Sequence, residues 1–192
     1  MRALVFNNSY YVRKPAYHHI SADADLITAL IIFLTAMYLF TWDTRVFASL
    51  VRSLSLEAFV HATEDPRKVK KAVLNLIPPE LRDSVNLLEA SVRGHYRNPI
   101  RILKLEVSDP SKAQRVITYI AEGLRGADKR YIQSTLSLRV DETRTLYLRF
   151  NKQEAYLGRL RLDDSNDVIR LRVKLASSKG IKDICRELGL IP

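Results

Sequence analysis

The sequence predicts an α+β fold: a two-layer sandwich whose mainly antiparallel sheet carries its helices on one face, with an apolar helix ahead of it. Three observations point there. Several short segments alternate apolar and polar residues, the period of a half-buried strand. Others repeat apolar residues at i, i+3, i+4 and i+7, and two Asp-Pro pairs stand where helices begin. One-faced strands need a cover, and one-striped helices supply it.

The N-terminal extension, residues 1–52, is the part that fits this pattern least. Leu26 to Trp42 contains no charge and is flanked by Asp25 and Asp43. As a helix it reaches roughly 25 Å, just short of a hydrocarbon core of about 30 Å. Three readings stand open: a membrane anchor that leaves the basic remainder in the cytoplasm, a core helix, or residues translated upstream of the real start, for which Val51 offers a valine-coded alternative. A cleaved signal peptide fits poorly, since no small-x-small site follows the apolar run.

Residues 53–192 form a self-sufficient α+β domain. Leu54, Leu56, Ala58, Val60 and Ala62 alternate with Ser53, Ser55, Glu57, Phe59 and His61, a strand with one buried face. Asp65-Pro66 then caps a helix whose stripe is Val69, Ala72, Val73, Leu76 and Ile77, and Pro78-Pro79 ends it. Arg67, Lys68, Lys70 and Lys71 cover that helix's outer side as a solvated face. Two strands follow around the turn "GHYRNP", the first with Leu88, Ala90 and Val92 as its apolar set, the second with Leu103, Leu105 and Val107. Asp109-Pro110 opens a second helix on Ala113, Val116, Ile117, Ile120 and Leu124, and a charged segment around 127–133 suits another short helix. Leu136, Leu138 and Val140 alternate with Arg139 as a strand. A turn at "DETR" leads to Leu146, Leu148 and Phe150 against Tyr147 and Arg149. Asn151 and Glu154 read as a capping box, Gly158 as the close of a short helix, and Leu160 and Leu162 as a second alternation. Ile169, Leu171, Val173 and Leu175 form the last strand, and 178–188 a final amphipathic helix with Cys185 on its core side.

The 192 residues carry a formal charge of +10, with 47% hydrophobic and 27% charged residues, which excludes general disorder. Residues 1–52 hold five basic and three acidic residues, so a net +8 belongs to the rest. That excess points to nucleic acid or another anionic surface. One cysteine allows neither an internal disulfide nor a cysteine-based zinc site. No cofactor or metal site is expected.

With helices on one face, the other face collects Phe59, His61, Arg139, Tyr147, Arg149, Arg170, Arg172 and Lys174. The turn at 94–100 exposes His95, Tyr96 and Arg97, and Lys152, just past a strand, is counted with the same set. Guanidinium groups contact phosphates, and exposed rings stack on unpaired bases. Three cations at alternate positions of one strand lie about 6 to 7 Å apart and repel unless an anion joins them. Internal neutralisation by Glu57 or Asp141 is the competing explanation. No helix here resembles a duplex-DNA groove reader, so RNA is the expected ligand.

Four stretches, "EAFVHATED", "GHYRNPI", "LYLRFNKQEAYLG" and "DDSNDVIRLRV", occur in the order found in an archaeal RNA-binding-domain family often labelled a predicted exosome subunit. The chain resembles that family over about Ser53 to Ala176. The resemblance implies a fold similar to that of the ribosomal protein that holds 5S RNA, RNA as ligand, a homodimer, and a cytoplasmic setting with exosome or ribosome components as partners. It supplies no catalytic residue, and its members typically lack the apolar N-terminal segment. Two histidines with scattered carboxylates, as at His61 and Glu64, make a weak catalytic constellation, so a non-catalytic binder is expected. The alternative is a homodimeric interaction protein whose open sheet is a protein interface.

Overall fold

The computed structural model describes residues 49–93, 99–176 and 179–192. The apolar segment 26–42 and the turn bearing His95, Tyr96 and Arg97 lie outside the described residues. Among the described residues no helix is long and apolar enough to cross a membrane.

Five strands form one antiparallel sheet: β1 (Val51–Val60), β2 (Leu87–Arg93), β3 (Pro99–Val107), β4 (Thr145–Asn151) and β5 (Val168–Leu175), in the order β2-β3-β1-β5-β4. The expected α+β architecture with helices on one side is present. Leu54, Leu56, Ala58 and Val60 of β1, Leu146, Leu148 and Phe150 of β4, and Ile169, Leu171 and Val173 of β5 are buried under those helices. Burying each Leu, Ile, Val or Phe among them contributes about 1.5–3 kcal/mol. The residue before β1 also belongs to this core: Leu50 is buried, its N–H donates to Gln114 Oε1 at 2.8 Å, and its carbonyl accepts from Ala176 N at 2.8 Å.

The covering layer comprises α1 (Pro66–Leu74), a 3-10 turn (Pro79–Ser84), α2 (Pro110–Gly123), α3 (Gly126–Arg139), α4 (Lys152–Tyr156) and α5 (Ile181–Glu187). The Asp-Pro devices act as expected. Asp65 accepts from Arg67 N at 2.9 Å, and Asp109 from Ser111 N and Lys112 N at 2.9 and 3.0 Å. Both satisfy N–H groups that a helix start leaves without partners. Asn151 caps α4 by accepting from Glu154 N, but the return half of the capping box is missing because Glu154 pairs with Arg159. Gly158 ends that turn at φ +78°, where a Cβ would be strained. Cys185 is buried, and burial pushes its thiol up to about 11, which leaves it an inert core residue.

Three sequence expectations need correction. Residues 136–140 are not a strand: α3 runs through Arg139, and only Val140 makes a bridge, to Leu146. The alternation Leu136-Leu138-Val140 is coincidental, because Ile132, Leu136 and Val140 lie four apart on one helix face while Leu138 is 86% exposed. Leu160 and Leu162 do not start a strand either. Only Leu162 bridges to Phe150, with Asn151 N donating to Arg161 O and Asp163 N to Arg149 O. Finally, β2 is turned over. Its register with β3 sets Leu87 opposite Leu105, and Leu88 opposite Lys104, so Leu88, Ala90 and Val92 join the open face.

Candidate nucleic-acid interface

The open face is set by register. Glu57 of β1 stands opposite Lys104 on one side and Arg170 on the other, and Ser55 opposite Glu106 and Arg172. Across β5, Arg170 faces Arg149, Arg172 faces Tyr147, and Lys174 faces Thr145. Directly opposed residues on one face have Cβ atoms about 4.5–5.5 Å apart, and like charges placed so destabilise the sheet. Arg149 and Arg170 are such a pair.

One carboxylate answers this block. Glu57 Oε1 lies 3.7 Å from Arg170 Nη1 and 3.8 Å from Arg172 Nη2, too long for hydrogen bonds. Among the described residues Arg149 and Lys174 have no ion-pair partner. Two of the four cations therefore share one acid, Arg149 acts on Asp164 only at a distance, and internal neutralisation is partial. Arg170 also sits over the Phe59 ring, 5.0 Å from its centroid, which holds ring and guanidinium together on the surface. Between β1 and β4 a cleft of about 350 Å³ is lined by Ser53, Ser55, Ser108, Thr145, Tyr147, Arg172 and Lys174, with the Glu106 carboxylate, paired to Lys104 at 3.0 Å, at its β3 side. Hydroxyls beside cations in a shallow trough are donors for phosphate oxygens.

Tyr147 is fixed at the rim of that trough. Its hydroxyl donates to Asp141 Oδ2 at 2.8 Å, and the carboxylate raises the phenol above its ordinary value. Asp141 in turn accepts from Thr145 N at 2.9 Å and the Thr143 hydroxyl at 2.7 Å, which hold its carboxyl down to about 2. The turn is built on Arg144 at φ 62°, a left-handed conformation rare for a side-chain-bearing residue. Asp141 O accepts from Arg144 N, and the guanidinium donates to Ala176 O.

The remaining expected residues separate. Phe59, Tyr147, Arg149, Arg170, Arg172 and Lys174 share the open face. Arg139 does not: it ends α3, is 9% exposed, and pairs with Asp164 at 3.0 Å. Lys152 is 4% exposed, and its ammonium meets Phe59 O at 2.7 Å, Glu64 Oε2 at 2.9 Å and Asp167. It is an internal tie between β1, α4 and the start of β5. His61 is exposed one residue past β1, with a ring nitrogen within 4.8 Å of carboxylate oxygens of Glu64 and Asp167. That trio has the residue types of a metal site, but the Lys152 ammonium already sits between the two carboxylates and offsets half of their charge.

Sequence reasoning missed a second group beside β4. Tyr131, Thr135 and Arg139 lie four apart along α3, a spacing that becomes visible only once the segment is read as a helix. The Tyr131 hydroxyl donates to Asp164 Oδ2 at 2.6 Å, Arg139 Nε to Thr135 Oγ1 at 2.7 Å, and Arg139 lies 5.0 Å from the Tyr131 ring centroid. The Tyr131 hydroxyl and then the Arg139 guanidinium hold the Asp164 carboxyl below its ordinary value.

A family model described as RNA binding matches residues 53–175, the stretch over which the four ordered motifs run. An RNA-binding protein of Pyrococcus abyssi is 37% identical over 128 residues, covering 64% of this chain and 80% of that protein. An uncharacterized protein of Methanocaldococcus jannaschii is 32% identical over 144 residues, covering 72% and 95% of the two chains. Among solved structures, a DUF54 protein from Archaeglobus fulgidus superposes with a TM-score of 0.62 at 32% identity, covering 72% of this chain and 99% of the other. Another from Sulfolobus solfataricus gives 0.61 at 26% identity, covering 71% and 96%.

Proposed function

The chain belongs to the RNA-binding family, and on that footing we propose that it is a non-catalytic RNA-binding protein whose contact surface is the open face of β1, β5 and β4. One observation carries this reading: Arg149, Arg170, Arg172 and Lys174 crowd one sheet face, and among the described residues Glu57 is the one carboxylate within ion-pair distance of any of them. A phosphate backbone relieves that crowding, and Phe59 and Tyr147 supply rings beside it. Arg139 and Lys152 are left out of the surface, since both are held by carboxylates. Replacing Arg170, Arg172 and Lys174 with Glu should abolish RNA binding in a gel-shift assay while the circular dichroism spectrum stays native. Retained binding by the folded variant would overturn the assignment.

A second reading is favoured by the other half of the same face. Leu88 is 56% and Val92 43% exposed on the edge strand β2, beside Ala90 and the half-buried Ile102. An apolar strip on a free sheet edge suits a protein partner or a second copy. Light scattering separates the two: Leu88→Lys with Val92→Lys should dissociate a homodimer and spare RNA binding, whereas the triple charge reversal should do the reverse. Work in RNA processing or degradation, in the cytoplasm and with exosome or ribosome components, is supported by the family resemblance alone. Copurification with RNA and those assemblies tests it.

A further inference from the structure

Beside the cationic face, across the exposed edge of β4, lies a cleft of about 290 Å³ walled by Tyr131, Leu138, Arg139, Tyr147, Arg149 and Asp164. Three of its features suit a bound ligand. Leu138 is 86% exposed at the end of α3, where a polar residue would cost nothing. Tyr131 and Tyr147 are 43% and 41% exposed, yet each is pinned by a carboxylate, so neither ring is free to move away. Arg139 is nine-tenths buried and lies 5.0 Å from the Tyr131 ring centroid, with Asp164 bonded beside it.

We propose that this cleft receives one unstacked nucleobase of a bound single-stranded RNA, a subsite that rests on the RNA-binding reading of the neighbouring sheet face. The immobilised rings and the exposed leucine provide apolar contact for a base, and pre-ordering them lowers the entropy lost on binding. Asp164 is 45% exposed, and its Oδ1 accepts only two long bonds from Arg139, both at 3.4 Å, so a base N–H can compete for it. Arg149 links the two surfaces, since it lines the cleft and also faces Arg170 within the cationic block. A strand whose phosphates lie along β5 therefore passes the cleft at β4, where it can turn a base inward. A duplex keeps its bases stacked and cannot fill it.

The test uses the full chain with three probes of equal charge: a short unstructured RNA, the same strand made abasic, and a hairpin duplex. The intact protein should bind the unstructured strand about tenfold tighter than the abasic one, the scale of one base–aromatic stack. Tyr131→Ala with Leu138→Ser should erase that preference and leave abasic and duplex binding and their salt dependence unchanged. Tyr131→Phe, which keeps the ring but loses its tie to Asp164, should retain part of the preference, and complete loss in it as in the double variant would overturn the stacking role of the ring. Equal affinity of the intact protein for base-bearing and abasic strands overturns the subsite, as does a double variant that weakens all three probes alike. A double variant unchanged on every probe also overturns it and leaves the cleft to a protein partner. Absence of salt-dependent binding to any probe sinks the sheet-face reading as well, so the two failures are distinguishable.

Discussion

Glu57→Gln should make this protein bind RNA more tightly. Glu57 is 19% exposed and sits 3.7 and 3.8 Å from the two guanidinium groups it shares. At such a separation a unit-charge pair is worth about 1 kcal/mol in water, and measured exposed pairs give about 0.2–1 kcal/mol. Removing the carboxylate thus costs the free protein about 0.5–1 kcal/mol, because Arg149, Arg170 and Arg172 then repel with nothing between them. A phosphate docked on those guanidiniums lies roughly 5–6 Å from Glu57 and loses about 0.5–1 kcal/mol to its repulsion. Without that carboxylate, affinity should rise about two- to fivefold at low salt. The gain should vanish near 1 M salt, where the screening length is about 3 Å. Fluorescence anisotropy with a labelled RNA reads the affinity, and thermal unfolding reads the stability. Unchanged or weaker binding by a folded Glu57→Gln protein refutes the reasoning, since the carboxylate would then be helping to hold the ligand.

Lys152→Met removes the cation from between Glu64 and Asp167 and takes a donor from Phe59 O. Breaking a buried pair costs about 3–5 kcal/mol, reduced here to about 2–3 because both carboxylates can rehydrate. Urea unfolding should show this loss with RNA affinity per folded molecule unchanged; a neutral effect on stability would contradict the tie. The Asp141 carboxyl, held down to about 2 chiefly by the Thr145 N–H and then the Thr143 hydroxyl, should titrate there when followed by side-chain carbonyl NMR. Its pKa falls on folding, so its stabilisation is complete above the ordinary 3.8 and fades as pH drops through about 2. A midpoint near 3.8 would mean that the Thr145 N–H and Thr143 hydroxyl do not hold the carboxylate to which Tyr147 is bonded.

What could be read in the sequence was local. The Asp65-Pro66 and Asp109-Pro110 helix starts, the left-handed Gly158 and the buried alternations of β1, β4 and β5 depend on neighbours a few residues away, and each is present. Register was not local. Whether Leu87 or Leu88 faces the core is decided by pairing with β3, which here overrides the more apolar set Leu88, Ala90 and Val92. The segment 136–140 satisfied periods of two and of four at once, and only packing of Ile132 selected the helix. Lys152 looked like a surface cation because Glu64, its partner, lies 88 residues away. The crowding of Arg149 against Arg170 was invisible for the same reason: strand alternation gives a residue's face but not who stands opposite.

The most direct test is the slope of log affinity against log salt for the full chain on unstructured RNA. Four sheet-face cations neutralising phosphates should give a slope near −3, at about −0.7 per contact. The Arg170→Glu, Arg172→Glu, Lys174→Glu protein should show no measurable binding at any salt concentration. A shallow slope in the intact protein, or the same slope in both, would place RNA contact elsewhere and contradict the account.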